Sequence, residues 1–365
     1  MHVLMTADAV GGVWTYAVEL ARALADDGSR VTLAVLGPAP TAAQRDEARA
    51  IPGLRLHEHA GRLEWMHDPW RDVGQAGAWL RALEAAVRPD VVHLNGYCHA
   101  AIGFEAPVLV VGHSCVRSWW RAVHDQEAPP EWGRYTRAVR RGLAAADLVV
   151  APTVSMLASL EGAYGPLRRC RAIANGRTPP EAPPANGREP IVFAAGRVWD
   201  EAKNLTALCD VAPALAWPVY IAGDPSAPDG TSAFTPRGAH LLGRLPAAEV
   251  ARWMSRASIY ALPACYEPFG LSVLEAAQSG CALVVGDVPS LREVWGDAAV
   301  YVPPRNRRAL AEAITRLIED RPIREAMARQ ARARAADYTP ARMASAYRAA
   351  YREARQARGV DQVAS

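Results

Sequence analysis

The chain is almost devoid of lysine. Of its 41 basic residues, 40 are arginine and one, Lys203, is lysine. An arginine bias of this size replaces lysine wherever a guanidinium serves as well, so the surviving ammonium is a candidate functional group: compact, flexible and strongly hydrated. Chance survival is the competing reading. Long apolar runs are also missing. The longest, at 107–112 and 148–152, fall far short of the roughly 20 residues that cross a bilayer. Residues 1–5 read directly into a strand, without the charged start and long apolar stretch of a secretory leader, so a cytoplasmic enzyme is expected. The six cysteines, at 98, 115, 170, 209, 265 and 281, show no C-x-x-C and no metal-type spacing, and are expected to be reduced, mostly packed thiols. No G-x-G-x-x-G occurs, which disfavours a dinucleotide oxidoreductase. Lys203 lacks the G-x-x-x-x-G-K context of a P-loop kinase. With no D-x-D motif, the sequence requires no metal clamp. A net charge of only +3, without a basic-aromatic module, argues against a nucleic-acid partner.

What is present fits a globular chain. At 365 residues, 50% apolar and 22% charged, it has the length of two domains able to bury large cores. The charge is uneven: residues 305–358 hold 14 arginines against 6 acids. A solvated helical face explains this most simply, and anionic membranes or acidic partners are the second reading.

Short apolar runs alternate with helical patterns, as in stacked βαβ units. Strands are expected at 3–6, 31–35, 91–94, 108–111 and 148–151, with helices at 76–87, 132–145 and 154–164. Residues 178–187 are too rich in proline and glycine for a packed element, and the alternation restarts after them. Strands are then expected at 191–195, 219–222, 258–262 and 282–285, and helices at 309–319, 323–336 and 340–358. The expected organisation is a Rossmann-like domain at 1–177, a linker at 178–190, a second Rossmann-like domain at 191–338, and a terminal helix with its tail at 339–365. Ligands of such α/β domains bind beyond the carboxyl ends of the strands, so a substrate is expected in a cleft between two domains facing each other.

Two stretches carry most of the chemistry. In Tyr266-Glu267-Pro268-Phe269-Gly270-Leu271-Ser272-Val273-Leu274-Glu275, proline and glycine force a turn before a helix. The unpaired amides there suit phosphate, and the two carboxylates can accept hydrogen bonds from sugar hydroxyls. Against this, Glu275 could merely complement the helix dipole and Glu267 lie on the surface. In Gly196-Arg197-Val198-Trp199-Asp200-Glu201-Ala202-Lys203-Asn204, two cations flank one loop and could clamp a diphosphate, or simply be solvated charges. Weaker signals are the Gly11-Gly12 turn, where a ligand can approach the backbone, His113 at a strand end, and Asn175-Gly176, read as a tight turn.

In this order the pieces resemble the retaining glycosyltransferases of family 4, over nearly the whole chain. The resemblance implies the two-domain GT-B fold, with a C-terminal helix crossing back to the first domain. It implies transfer of a hexosyl group, with retention and without a metal or other cofactor, from a nucleotide diphosphate sugar to a hydroxyl acceptor. Arg197 and Lys203 would bind the diphosphate, Glu267 the transferred sugar and Glu275 the ribose. Gly196 and Phe269 fall within the donor motifs. Gly270, Leu271 and Ser272 would offer backbone donors, Gly12 would approach the reacting centre, and His113 would contact the sugar near its anomeric carbon. Two details depart from the family: Arg177-Thr178 follows Asn175-Gly176 where Val-Asp is frequent, and the Arg197 to Lys203 spacing is one residue longer.

Other readings are a nucleotide-sugar epimerase of the same architecture and a non-catalytic nucleotide-sugar-binding protein. An α/β-hydrolase is disfavoured, because Gly112-His113-Ser114-Cys115-Val116 has valine where the nucleophile elbow needs glycine. Trp119, Trp120 and Arg121, with Arg134, Arg137, Arg140 and Arg141, form either a peripheral contact with the inner face of a membrane or a solvated helix face. The acceptor is expected against the tryptophan-rich segments 63–70 and 117–132. Nucleobase, sugar, acceptor and oligomeric state are not legible.

Overall fold

A computed structural model describes residues 1–180, 187–227 and 237–363 of the chain. Residues 181–186 of the expected linker lie outside the described residues. The chain divides into two compact units. One comprises Met1–Arg121, Gln126–Gly176 and the segment from Thr339 onward; the other comprises Ala122–Asp125 and Arg177–Tyr338.

The N-terminal unit is built on seven parallel strands: β1 (His2–Asp8), β2 (Arg30–Gly37), β3 (Leu54–Ala60), β4 (Val91–Leu94), β5 (Val108–Val111), β6 (Leu148–Ala151) and β7 (Cys170–Ala172). Their order in the sheet is β3-β2-β1-β4-β5-β6-β7. The central strands β4, β5 and β6 are buried along their whole length, which is why they read as unbroken apolar runs rather than alternating ones. The second unit has six parallel strands: β8 (Glu189–Ala195), β9 (Val219–Ala222), β10 (His240–Gly243), β11 (Ala257–Leu262), β12 (Ala282–Gly286) and β13 (Val300–Val302). Their order is β10-β9-β8-β11-β12-β13.

Both sheets therefore run outward one way from their first strand, then reverse, so the chain changes direction between β1 and β4 and between β8 and β11. At such a reversal the connecting loops leave in opposite directions and open a crevice beyond the carboxyl ends of the strands, where α/β sheets hold their ligands.

The last helix, Pro340–Val363, belongs to the N-terminal unit. Its stripe of Met343, Ala344, Tyr347, Ala350, Tyr351 and Ala354 is at most 2% exposed and packs on the helix Gly12–Asp26 and on β4, β5 and β6. The 3–4 spacing of these residues is the signature of a helix face committed to a core.

Asn175-Gly176 does not form the expected tight turn. No turn forms there, and a Cβ at Gly176 would lie 2.2 Å from the carbonyl oxygen of Thr339. The glycine is there for close passage of two backbones. Gly176→Ala is expected to cost about 1–3 kcal/mol through overpacking, seen as a lower thermal midpoint; an unchanged midpoint would show that the Thr339 backbone gives way freely.

Candidate functional site

The reversal of the second sheet brings together the two stretches singled out in the sequence. The loop after β8 carries Gly196 to Asn204, and the loop after the neighbouring β11 carries Cys265 to Gly270. They are joined directly, since the Cys265 amide donates to the Ala202 carbonyl at 2.8 Å. Asn204 anchors the first loop from a left-handed conformation (φ 53°) that asparagine tolerates. Its Nδ2 donates to the carbonyls of Pro263 at 2.9 Å and Pro304 at 2.7 Å.

At the centre lies an ion pair. Lys203 Nζ is 2.5 Å from Glu267 Oε2, and the two side chains are 15% and 11% exposed. The other carboxylate oxygen, Oε1, accepts the Gly270 amide at 3.0 Å, and the Ser290 hydroxyl donates to the Glu267 carbonyl at 2.5 Å. Glu267 is thus held at both its backbone and its side chain. Gly270 is the cap of the helix Leu271–Gln278 with φ 89° and ψ 62°, a region open to glycine at little cost. Helix geometry leaves the next amides, those of Leu271, Ser272 and Val273, without intrahelical acceptors and facing the loop.

Arg197 stands at the mouth of this site. Its Nη2 is 2.6 Å from Asp200 Oδ2, and its guanidinium lies 5.3 Å from the Trp199 ring centroid. Glu275 is paired with Arg177 at 2.6 Å. Three cations and three carboxylates thus balance, and each named cation is already bound to a carboxylate. Such a set is preorganised, with Lys203 and Arg197 held by these carboxylate partners.

Sequence reading missed Asp200 and Arg177 as partners. Asp200, three residues after Arg197, was within view as a helical-spacing pair; Arg177 lies 98 residues from Glu275 and gave no local signal. Gly196 is where the Cα chain leaves β8, with its amide bonded to the Ala222 carbonyl at 3.0 Å. Phe269 is buried and packs edge-on against Tyr338 at 5.6 Å, so its side chain belongs to the core. The Ser272 hydroxyl lies 2.8 Å from that of Tyr260, whose proton is also within reach of the Ala195 carbonyl at 2.9 Å.

The remaining two sequence candidates are on the N-terminal unit. Gly12 is exposed and opens the helix that follows β1. His113 follows β5, stacks edge-on against Tyr16 at 4.5 Å, and hydrogen-bonds Asn95 Oδ1 through Nε2 at 2.8 Å. Beyond the carboxyl ends of β1, β2, β3 and β4 there is a cavity of about 70 Å3, lined among others by Thr6, Asp8, Arg62, Glu64, Trp65 and Asp72. Of the tryptophan-arginine surface, Trp119 and Trp120 are half-buried against each other, Arg134 stacks over Trp70, and Arg137, Arg140 and Arg141 are exposed. Among the described residues no helix is long and apolar enough to cross a membrane, and no three His, Cys, Asp or Glu side chains converge as for a metal.

Two family models match the chain. "Glycosyltransferase Family 4" covers residues 10–179 and "Glycosyl transferases group 1" covers 189–320. The chain is 26% identical to the glycogen synthase of Mycobacterium tuberculosis over 347 residues, 85% of this chain and 83% of that protein. Among solved structures, the sucrose-phosphate synthase of Thermosynechococcus elongatus superimposes with a TM-score of 0.79 at 19% identity, covering 97% of this chain and 98% of that one. The Anabaena HepE protein in complex with UDP-glucose gives 0.74 at 16% identity, covering 94% and 97%. With both of its halves matched, its two parallel-sheet units and its last helix returned to the first of them, the chain belongs to the family 4, group 1 glycosyltransferases of GT-B fold.

Proposed function

We propose that the protein is a retaining hexosyltransferase that takes its sugar from a nucleotide diphosphate donor, needs no metal, and delivers it to a hydroxyl acceptor. The observation that carries this reading is the Lys203–Glu267 pair at the reversal of the second sheet, beside Arg197 and the open amides of a helix start. The pair supplies both halves of the recognition problem: an ammonium for the diphosphate and a carboxylate for sugar hydroxyls.

The chemistry follows from charge. When the bond between the anomeric carbon and the diphosphate oxygen breaks, the sugar becomes oxocarbenium-like and negative charge grows on the leaving group. Lys203, Arg197 and the helix amides offset that growing charge, and they do more for the transition state than for the bound donor. Glu267, released from Lys203, accepts hydroxyl hydrogen bonds and places its negative charge near the sugar cation. In retention by front-face attack, the acceptor oxygen bonds to the anomeric carbon while its proton passes to the departing phosphate oxygen, so no protein base is needed. Gly12 and His113 are assigned to the reacting sugar, and Glu275 to the ribose.

The acceptor is assigned to the cavity beyond the carboxyl ends of β1 to β4. Its carboxylates Asp8, Glu64 and Asp72 outnumber its one guanidinium, Arg62, and Trp65 offers a stacking face. That balance repels phosphate and favours a neutral, hydroxyl-rich acceptor.

The test is a panel of nucleotide diphosphate sugars, beginning with UDP-glucose, scored for nucleoside-diphosphate release and for thermal stabilisation, which a bound ligand produces by mass action. Neutral saccharides should stimulate release more than sugar phosphates, a chelator should leave the rate unchanged, and NMR of the product should show the donor's anomeric configuration. No release with any donor and acceptor, or conversion of the donor sugar without an acceptor, would overturn the reading.

A further inference from the structure

Beneath the carboxyl ends of β1, β4 and β5, Asn95, His113, His93, Tyr351 and Tyr16 of the N-terminal unit form one hydrogen-bonded network in which the proton direction at His113 can be deduced. The Thr6 carbonyl can only accept, and Asn95 Nδ2 lies 2.7 Å from it. The amide of Asn95 is therefore oriented, with Oδ1 turned to the other side. That oxygen is 2.8 Å from His113 Nε2 and 3.2 Å from His93 Nε2. Because an amide oxygen has no proton to give, His113 donates from Nε2, and so does His93 in its contact with Oδ1; the Tyr16 hydroxyl, 3.3 Å from the same His93 nitrogen, then sits as an acceptor beside it. A neutral imidazole protonated at Nε2 is an acceptor at Nδ1. At His93 that nitrogen is 2.8 Å from the hydroxyl of Tyr351, which donates to it from the last helix. Burial holds His93 down to about 3 and His113 to about 4, so neither ring carries a second proton at neutral pH.

We propose that Asn95 is a positioning residue that locks His113 as its Nε2–H tautomer, leaving Nδ1 as an acceptor for a hydroxyl of the transferred sugar, and that the last helix shares in this lock through Tyr351 and His93. The part concerning the sugar rests on the glycosyltransferase reading; the tautomer does not. Two consequences follow. His113 receives a hydrogen bond from substrate, and protonation of the leaving diphosphate falls to other groups. The return of the last helix to the N-terminal unit does more than bury apolar surface, since it places a hydroxyl donor three hydrogen bonds away from His113.

The tautomers are read directly by long-range proton-nitrogen correlation on the full chain labelled with [15N]histidine, with the signals of His93 and His113 assigned through His93→Gln and His113→Gln. In the wild type both should show the Nε2–H pattern at pH 7.5. In Asn95→Ala, His113 should change to a tautomer-averaged pattern, and UDP release from UDP-glucose should lose roughly tenfold in kcat with little change in donor KM. Tyr351→Phe keeps the buried ring and removes only the donor, so it should fold; the His93 pattern should shift, with a smaller loss in kcat. An Nδ1–H pattern for His113 in the wild type, an unaltered pattern in Asn95→Ala, or an unaltered kcat in that variant would overturn the proposal. The spectra need no turnover, so their failure is distinct from a failure of the donor panel.

Discussion

Lys203→Ala is expected to abolish measurable transfer, with kcat/KM for the donor falling about 10³-fold, the scale of removing a charge-stabilising donor from a preorganised site. The loss has two sources. The diphosphate loses its ammonium, and Glu267, 11% exposed and stripped of its counterion, turns its charge against the incoming phosphate. The same unpaired carboxylate should destabilise the fold by roughly 3 kcal/mol, the low end for breaking a buried pair. Lys203→Arg separates the two sources. It restores positive charge, so stability should recover, yet a planar guanidinium cannot reproduce the compact ammonium whose single nitrogen meets Glu267 at 2.5 Å. Turnover should therefore stay at least about tenfold low, the factor that one lost charge-assisted hydrogen bond supplies. Steady-state rates alongside thermal melts of both variants decide the matter; wild-type activity in Lys203→Arg would return the single lysine to chance survival.

Glu267→Gln should behave in the opposite way toward nucleotide. The amide keeps the shape of the carboxylate and can still accept from the Gly270 amide, but it no longer competes for Lys203. Free nucleoside diphosphate should bind as well as in the wild type or tighter, while kcat falls about 10²-fold because a charge opposite the sugar cation is gone. Calorimetric titration of UDP beside the rate assay makes the comparison. An equal loss in UDP affinity and in turnover would place Glu267 in diphosphate binding and remove it from the sugar.

These two residues also show how far the sequence reaches. Lys203 stands out by rarity and Glu267 by its turn, yet they are 64 positions apart, and nothing local says that they touch. The strands β8 and β11 have to be neighbours for their loops to meet, and that adjacency is a property of the sheet order. The same holds for Arg177 with Glu275, and for Tyr351, which reaches His93 across 258 positions.

Among the secondary elements, the buried central strands were legible because burial on both faces leaves unbroken apolar runs. The edges were not. β7 is three exposed residues, Cys170, Arg171 and Ala172, held by backbone pairing to β6 and an ion pair of Arg171 with Glu353, and β3 has a half-buried, histidine-rich pattern. Neither offers a period that side chains can report. The helix Trp70–Val87 begins six residues before its expected start, because Gly74 and Gly77 weaken the helical pattern there.

By itself, then, the sequence determined that the chain makes two α/β domains and which short stretches carry charge suited to a diphosphate sugar, since apolar periodicity and turn chemistry are local. Only the tertiary structure decided that Lys203 neutralises Glu267, that Asn175-Gly176 serves close backbone passage in place of a turn, and that Tyr351 on the last helix completes the network around His113. Strand order and helix docking are set by burying whole apolar faces at once, so residues far apart in the chain become partners only after that burial has been satisfied.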